Sequence, residues 1–161
     1  MVGRDGSAVA LTPVGYEFPA ATDADDAIWL VVRGDVAAPG GSWSFSDPCL
    51  LTYEARALAD WLRRAAAGEV PPRLAAPPGE DAAWEPDLTF LEPNVAFSLA
   101  GVSAERARLR VHFSLESFPP WLDKERSFDL YAYSVEIDTT RAAVLRAASE
   151  WEVEIAAFPR R

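Results

Sequence analysis

Two residue types that often act together as nucleophile and base occur once each in this chain, Cys49 and His112. Cys49 lies in "SWSFSDPCLLTYEARALADWL", Ser42 to Leu62, where strand-like alternation gives way to a helical stripe. A thiol at such a junction can attack a substrate when a nearby base takes its proton. The one imidazole available, His112, falls on the polar side of a strand predicted across "RLRVHFSLES", and no spacing relates it to Cys49. A lone cysteine more often packs as a small apolar side chain, so Cys49 is expected to be structural.

Other chemistry is equally thin. One His and one Cys do not make a zinc cage. "TDADDA" (Thr22 to Ala27) opens like a calcium loop but lacks its glycine and its distal bidentate glutamate. No GxGxxG, GxxxxGK[ST] or GxSxG is present. No catalytic residue, metal or cofactor is assigned. The twenty-five acids could still supply a carboxylate pair, though no spacing selects one.

Some aromatic residues are candidates for contact rather than catalysis. Trp29 falls opposite Ile28 and Leu30, either as a surface anchor or packed under a helix. Trp84 stands in "EDAAWEPD" among Glu80, Asp81, Glu85 and Asp87, either as an interface anchor or tucked onto its own domain. Trp61 and Trp151 sit on helical stripes and are expected in the core.

The elements that would position these residues follow from periodicity. Val9 to Phe18 reads as two short edge pieces or one bent strand, broken by Pro13 and Gly15. "IWLVVRGDV" and "SWSFS" alternate around the turn signal "APGG" and predict an antiparallel hairpin. Pro48 is expected to end the strand, with Cys49, Leu50 and Leu51 turning inward and Thr52 capping a helix. That helix carries Leu58, Trp61, Leu62 and Ala65 on one stripe and closes at Gly68. Residues 69–86 form a Pro/Ala-rich acidic loop between the halves. "NVAFSLAG", "RLRVHFSLES" and "SFDLYAYSVEID" predict a three-strand meander with one wet face, its phase slipping near Tyr131 as at a bulge or under two-sided burial. A final helix from Thr139 or Thr140 carries Val144, Ala148, Trp151 and Ile155. The fold class is therefore α+β: a single domain over residues 1–161, a mainly antiparallel sheet made of a hairpin plus a three-strand meander, with two helices packed on one face.

Composition limits partners. The net charge is −10, a field that repels phosphate backbones and anionic lipid and attracts basic proteins. No nucleic-acid or membrane partner is expected. Thr12 to Val32 holds four acids and no base, and Leu74 to Ala104 holds five acids and no base. From these stretches Asp23, Asp25, Asp26, Glu80, Asp81, Trp84, Glu85 and Asp87 are the candidate partner-binding residues. The single cysteine gives no internal disulfide. The N-terminal stretch has no uninterrupted apolar run, so no signal peptide is expected and the reading is cytoplasmic.

The pattern "GYEFP...WLVVRGDV...SWSFSDPCLLTYEARALADWL", together with "LTFLEPNVAFSL" and the final "FP", resembles the WapI-type immunity proteins. The run from Asp47 through Thr52 into Glu54, Leu58 and Trp61 is its most specific part. The resemblance implies a small bacterial protein paired with a WapA-type polymorphic, contact-delivered nuclease toxin. No residue roles come with it. The expectation is a non-enzymatic immunity-like protein that neutralises a basic effector. The alternatives are a small-ligand or regulatory binding module of the same fold, and an enzyme with a carboxylate site that the sequence does not reveal.

Overall fold

A computed structural model describes residues 1–20, 28–73 and 85–160. Its elements are β1 (Ala8–Tyr16), β2 (Trp29–Ala38), β3 (Gly41–Leu51), α1 (Thr52–Ala67), β4 (Val95–Val102), β5 (Arg106–Phe113), β6 (Ser134–Thr140) and α2 (Arg141–Ile155). The strands form two antiparallel sheets of three, β1-β2-β3 and β4-β5-β6. The expected α+β class holds, and β1 is one bent strand that extends the predicted hairpin into a full sheet. Its register slips between Pro13 and Gly15, because a proline cannot donate to the ladder.

The first sheet places Leu30, Val32 and Val36 of β2 in the core with Trp43 and Phe45 of β3. Gly34 faces Phe45 across the ladder. A Cβ at Gly34 would lie 2.1 Å from the Phe45 ring, so only glycine fits there. Edge-on contacts then join the two sheets: the Trp43 and Phe113 rings are 5.2 Å apart and those of Phe45 and Phe113 are 6.1 Å apart. The Trp43 indole donates to Ser117 O at 2.9 Å.

The junction around Cys49 differs from expectation in two ways. Pro48 does not end the strand; β3 continues to Leu51, and Pro48 pairs with Val31. The register shift beside it leaves Cys49 as an extra residue between Pro48 and Leu50, a bulge at the point where proline offers no N–H. Cys49 and Leu50 are fully buried and Leu51 nearly so. Nor is Thr52 the cap. The N-cap position is Leu51, which has no side-chain oxygen, and Thr52 is the first helical residue, buried with Oγ1 lacking a partner among the described residues. Glu54 does the capping instead. Its carboxylate accepts from Leu51 N at 2.9 Å and Leu91 N at 2.8 Å, holding two chain segments at one helix N-terminus. Gly68 closes α1 in the left-handed conformation (φ 80°), as expected.

α1 touches β3 and β4, and α2 touches β1, β5 and β6, so the helix pair lies against both sheets. Trp61 packs on Phe97 of β4, with centroids 5.8 Å apart. Trp151 is 5 % exposed, and its indole N–H donates to Ala55 O of α1 at 2.7 Å. Thr140 caps α2 by accepting from Ala143 N at 3.1 Å.

The second sheet is covered more completely than alternation implied. Every residue from Val95 to Ala100 is buried, so β4 has no wet face. The chain before β4 protects its edge: Leu88 and Phe97 exchange backbone bonds, and Arg73 N donates to Leu99 O at 2.7 Å. The cover on the face comes from the chain between β5 and β6, which does not form the predicted long strand. It contains turns at Leu115–Ser117 and Lys124–Phe128, and Tyr131 sits at φ 65°. The phase slip near Tyr131 is therefore a loop, and β6 begins only at Ser134. His112, expected on a polar face, is 2 % exposed beneath this loop.

Three outcomes follow from this packing. Trp151→Ala removes a buried indole and its bond to α1, and should lower stability by roughly 3 to 5 kcal/mol in chemical denaturation. Cys49→Ser buries a hydroxyl in the bulge and should lower it by roughly 1 to 3 kcal/mol; the native Cys49 thiol, pushed up to about 12 by burial, should resist alkylation at pH 8. His112 gives a pH signature. Burial lowers its pKa from 6.5 to about 4, so between those values the unfolded chain binds the proton more readily. Stability should fall as pH drops from about 6.5 to about 4, by up to about 3 kcal/mol from this group alone. Denaturation at pH 7 and pH 4.5 should show a pH-dependent loss roughly 2 kcal/mol larger in wild type than in His112→Gln.

Candidate functional site

The residues with nucleophile and base character do not meet as a pair. Cys49 lies inside its bulge with no solvent exposure. His112 Nδ1 is 2.8 Å from Tyr131 O, an acceptor, so this nitrogen carries the proton. Nε2 then accepts from Ser98 Oγ at 2.8 Å. Ser98 is completely buried, so the relay from Ser98 through the His112 ring to Tyr131 O pins the β5–β6 loop to β4. It offers no surface to a substrate.

A different grouping forms where the ends of the first sheet meet the chain on either side of the second. Glu17 follows β1, Trp29 opens β2, Asp47 and Pro48 come from β3, Glu92 precedes β4, and Glu116 lies in the turn after β5. Together they line a cleft of about 310 Å³. The bulge is what presents its floor: Pro48 and Asp47 stay half-exposed while Cys49 turns into the core. Glu17 N donates to Trp29 O at 3.0 Å, which fixes the wall opposite. Four acidic residues and one half-exposed tryptophan therefore line the same cleft.

Asp47 records the crowding. Its pKa is raised, first by burial and then by the negative charge of Glu116, with a smaller push from Glu92; a bond from Asn94 Nδ2 at 3.3 Å works the other way. A group whose charged form is disfavoured in this way gains from any cation brought beside it. Among the described residues no three His, Cys, Asp or Glu side chains converge as a metal cage requires. Trp29 is the one aromatic residue on the described lining, and it is half-exposed.

The residues chosen from the sequence are placed only in part. Asp23, Asp25, Asp26, Glu80, Asp81 and Trp84 lie outside the described residues. Glu85 is exposed. The Asp87 side chain is 7 % exposed and committed to the fold, pairing with Arg73 and accepting from Leu99 N at 2.8 Å. The cleft acids were missed as a group because they come from four separate segments. Glu17 and Glu92 did fall in the two base-free stretches, and Trp29 had been singled out as a possible anchor.

Among the described residues no helix is long and apolar enough to cross a membrane. Neither curated proteins nor solved structures yield a match to this chain. The family model of the WapI-like immunity proteins does match, over residues 1–159. It spans both sheets, both helices and every residue of the acidic cleft. The chain belongs to the WapI-like immunity protein family.

Proposed function

We propose that this protein neutralises a basic toxin, a nuclease effector domain, by binding it through acidic surface in the cytoplasm, without catalysing a reaction. The observation that carries the reading is the cleft of Glu17, Asp47, Glu92 and Glu116 around Trp29, in a chain of net charge −10 that belongs to an immunity family. A nuclease must hold a polyanion, so its working surface is basic. Carboxylates compete for that surface, and opposite fields speed encounter while disfavouring wrong partners. In this reading Trp29 stacks on a basic side chain of the toxin and the acids surround it. The candidates Asp23, Asp25, Asp26, Glu80, Asp81, Trp84 and Glu85 extend the acidic surface beyond the cleft. Asp87 is assigned to holding the fold instead.

The test is stopped-flow association with the cognate toxin domain across a salt series. Exposed charges are screened beyond about 8 Å at physiological ionic strength, so the on-rate should fall steeply with salt and the off-rate much less. Glu92→Lys with Glu116→Lys should lower the low-salt on-rate by about tenfold. The difference from wild type should shrink at high salt, and denaturation should show the variant still folded. An on-rate indifferent to salt and to both reversals would overturn electrostatic capture through this cleft.

A further inference from the structure

β1, α1 and α2 leave a second cavity, of about 170 Å³, that shares no lining residue with the acidic cleft. Its floor is core: Leu58 and Leu62 of α1, Phe97 of β4 and Trp151 of α2. All four are buried. The Trp151 N–H is already taken by Ala55 O, so the indole offers the cavity its apolar ring. Val9 and Leu11 of β1 form one wall. Across from them α2 presents Ala147, Glu150 and Glu154, one face of the helix at spacings of three and four. Both glutamates are exposed, so they stand at the mouth.

Interiors are close-packed, and an apolar void of about 150 Å³ is large enough to take benzene. A void of this size reaching the core but opening beside two carboxylates has the two parts of a recognition site. We infer that it binds a small organic cation, an ammonium on an apolar ring or stem, of about six to eight non-hydrogen atoms. The apolar body fills the space over Leu58, Phe97 and Trp151, and the charged head stays at the mouth between Glu150 and Glu154. Neither glutamate is in an ion pair among the described residues. Among the described residues the one cation on the lining is the Met1 amino group, which donates to Val9 O at 2.6 Å and is partly buried there. Its charge interacts with that of Glu150, and Glu154 remains for an incoming head group.

The site is independent of the toxin partner and can be tested without one. Three ligands share a ring and differ in charge: benzylammonium, benzyl alcohol and benzoate. Each is titrated into the full chain at pH 7 while the backbone amides of Val9 and Leu11 and the indole N–H of Trp151 are followed by NMR. Benzylammonium should shift all three signals, with an affinity in the millimolar range expected of so small a ligand. It should bind about three- to tenfold more tightly than the alcohol, the difference two exposed ion contacts supply. Benzoate should not bind. Ala147→Leu, which fills the mouth, should abolish the shifts. Glu150→Gln with Glu154→Gln, both on the surface, should reduce the cation to the affinity of the alcohol. No binding by any ligand, equal binding by all three, or a preference for the cation that survives the double glutamine variant would overturn the assignment.

Discussion

The two sheets share no hydrogen-bonded ladder, and this is the constraint the rest of the molecule answers to. Each sheet is satisfied internally along its strands but has an apolar face it cannot cover alone. Joining them is left to side chains. The edge-on contacts of Trp43 and Phe45 with Phe113 close one part of the gap. The helix pair closes the rest, with Trp61 against Phe97 and Trp151 tied to the backbone of α1. The outcome is one contiguous core containing residues of every strand and both helices. Edges are managed in the same economical way. The N-terminal segment bonds to both β1 and β6, and Leu88 and Arg73 bond to β4, so ladder groups on these three edge strands that would invite another chain are occupied.

How legible this was depended on whether the deciding interaction was local. Helix stripes, the αL glycine at Gly68 and the alternation of β2 are properties of neighbouring residues, and they were readable. The cap of α1 was not, because Thr52 carries a good local signal while the work is done by Glu54, whose second partner, Leu91, is 37 residues away. Pro48 misled for a related reason. A proline normally stops a ladder, but here one extra residue absorbs the missing N–H and the strand resumes. The second face of β4 is covered by the chain between β5 and β6, and alternation has no way to register a cover that comes from elsewhere. The cleft acids were invisible as a set for the same reason: each is an ordinary solitary carboxylate until β3, its bulge and the turn after β5 bring them together.

Charge in this molecule is distributed by role. The arginines of β5 meet acids of β6, Arg106 with Asp138 and Arg108 and Arg110 with Glu136. Those pairs are at least partly exposed and add little stability, but they leave that side of the second sheet close to neutral. Among the described residues Asp47, Glu92 and Glu116 of the cleft are in no comparable ion pair. An acidic surface concentrated in a concavity focuses its field more strongly than the same charge spread evenly. Asp47, held above its ordinary carboxylate range by burial and its neighbours, is the place where that concentration is already uncomfortable in the unbound protein.

The strand order also governs when the molecule becomes whole. β1, β2, β3 and α1 are consecutive in the chain, and so are β4, β5, β6 and α2. Each ladder is therefore built from sequence neighbours, a low-contact-order arrangement that favours rapid formation of each half. During synthesis at about 5 to 20 residues per second, the first sheet emerges seconds before the second. In that interval Leu30, Val32, Trp43 and Phe45 have only α1 to cover them, and Trp43 has neither Phe113 nor the Ser117 carbonyl. The nascent protein thus passes through a half-molecule with an open apolar face until β5 brings Phe113, and the turn after it Ser117, to Trp43.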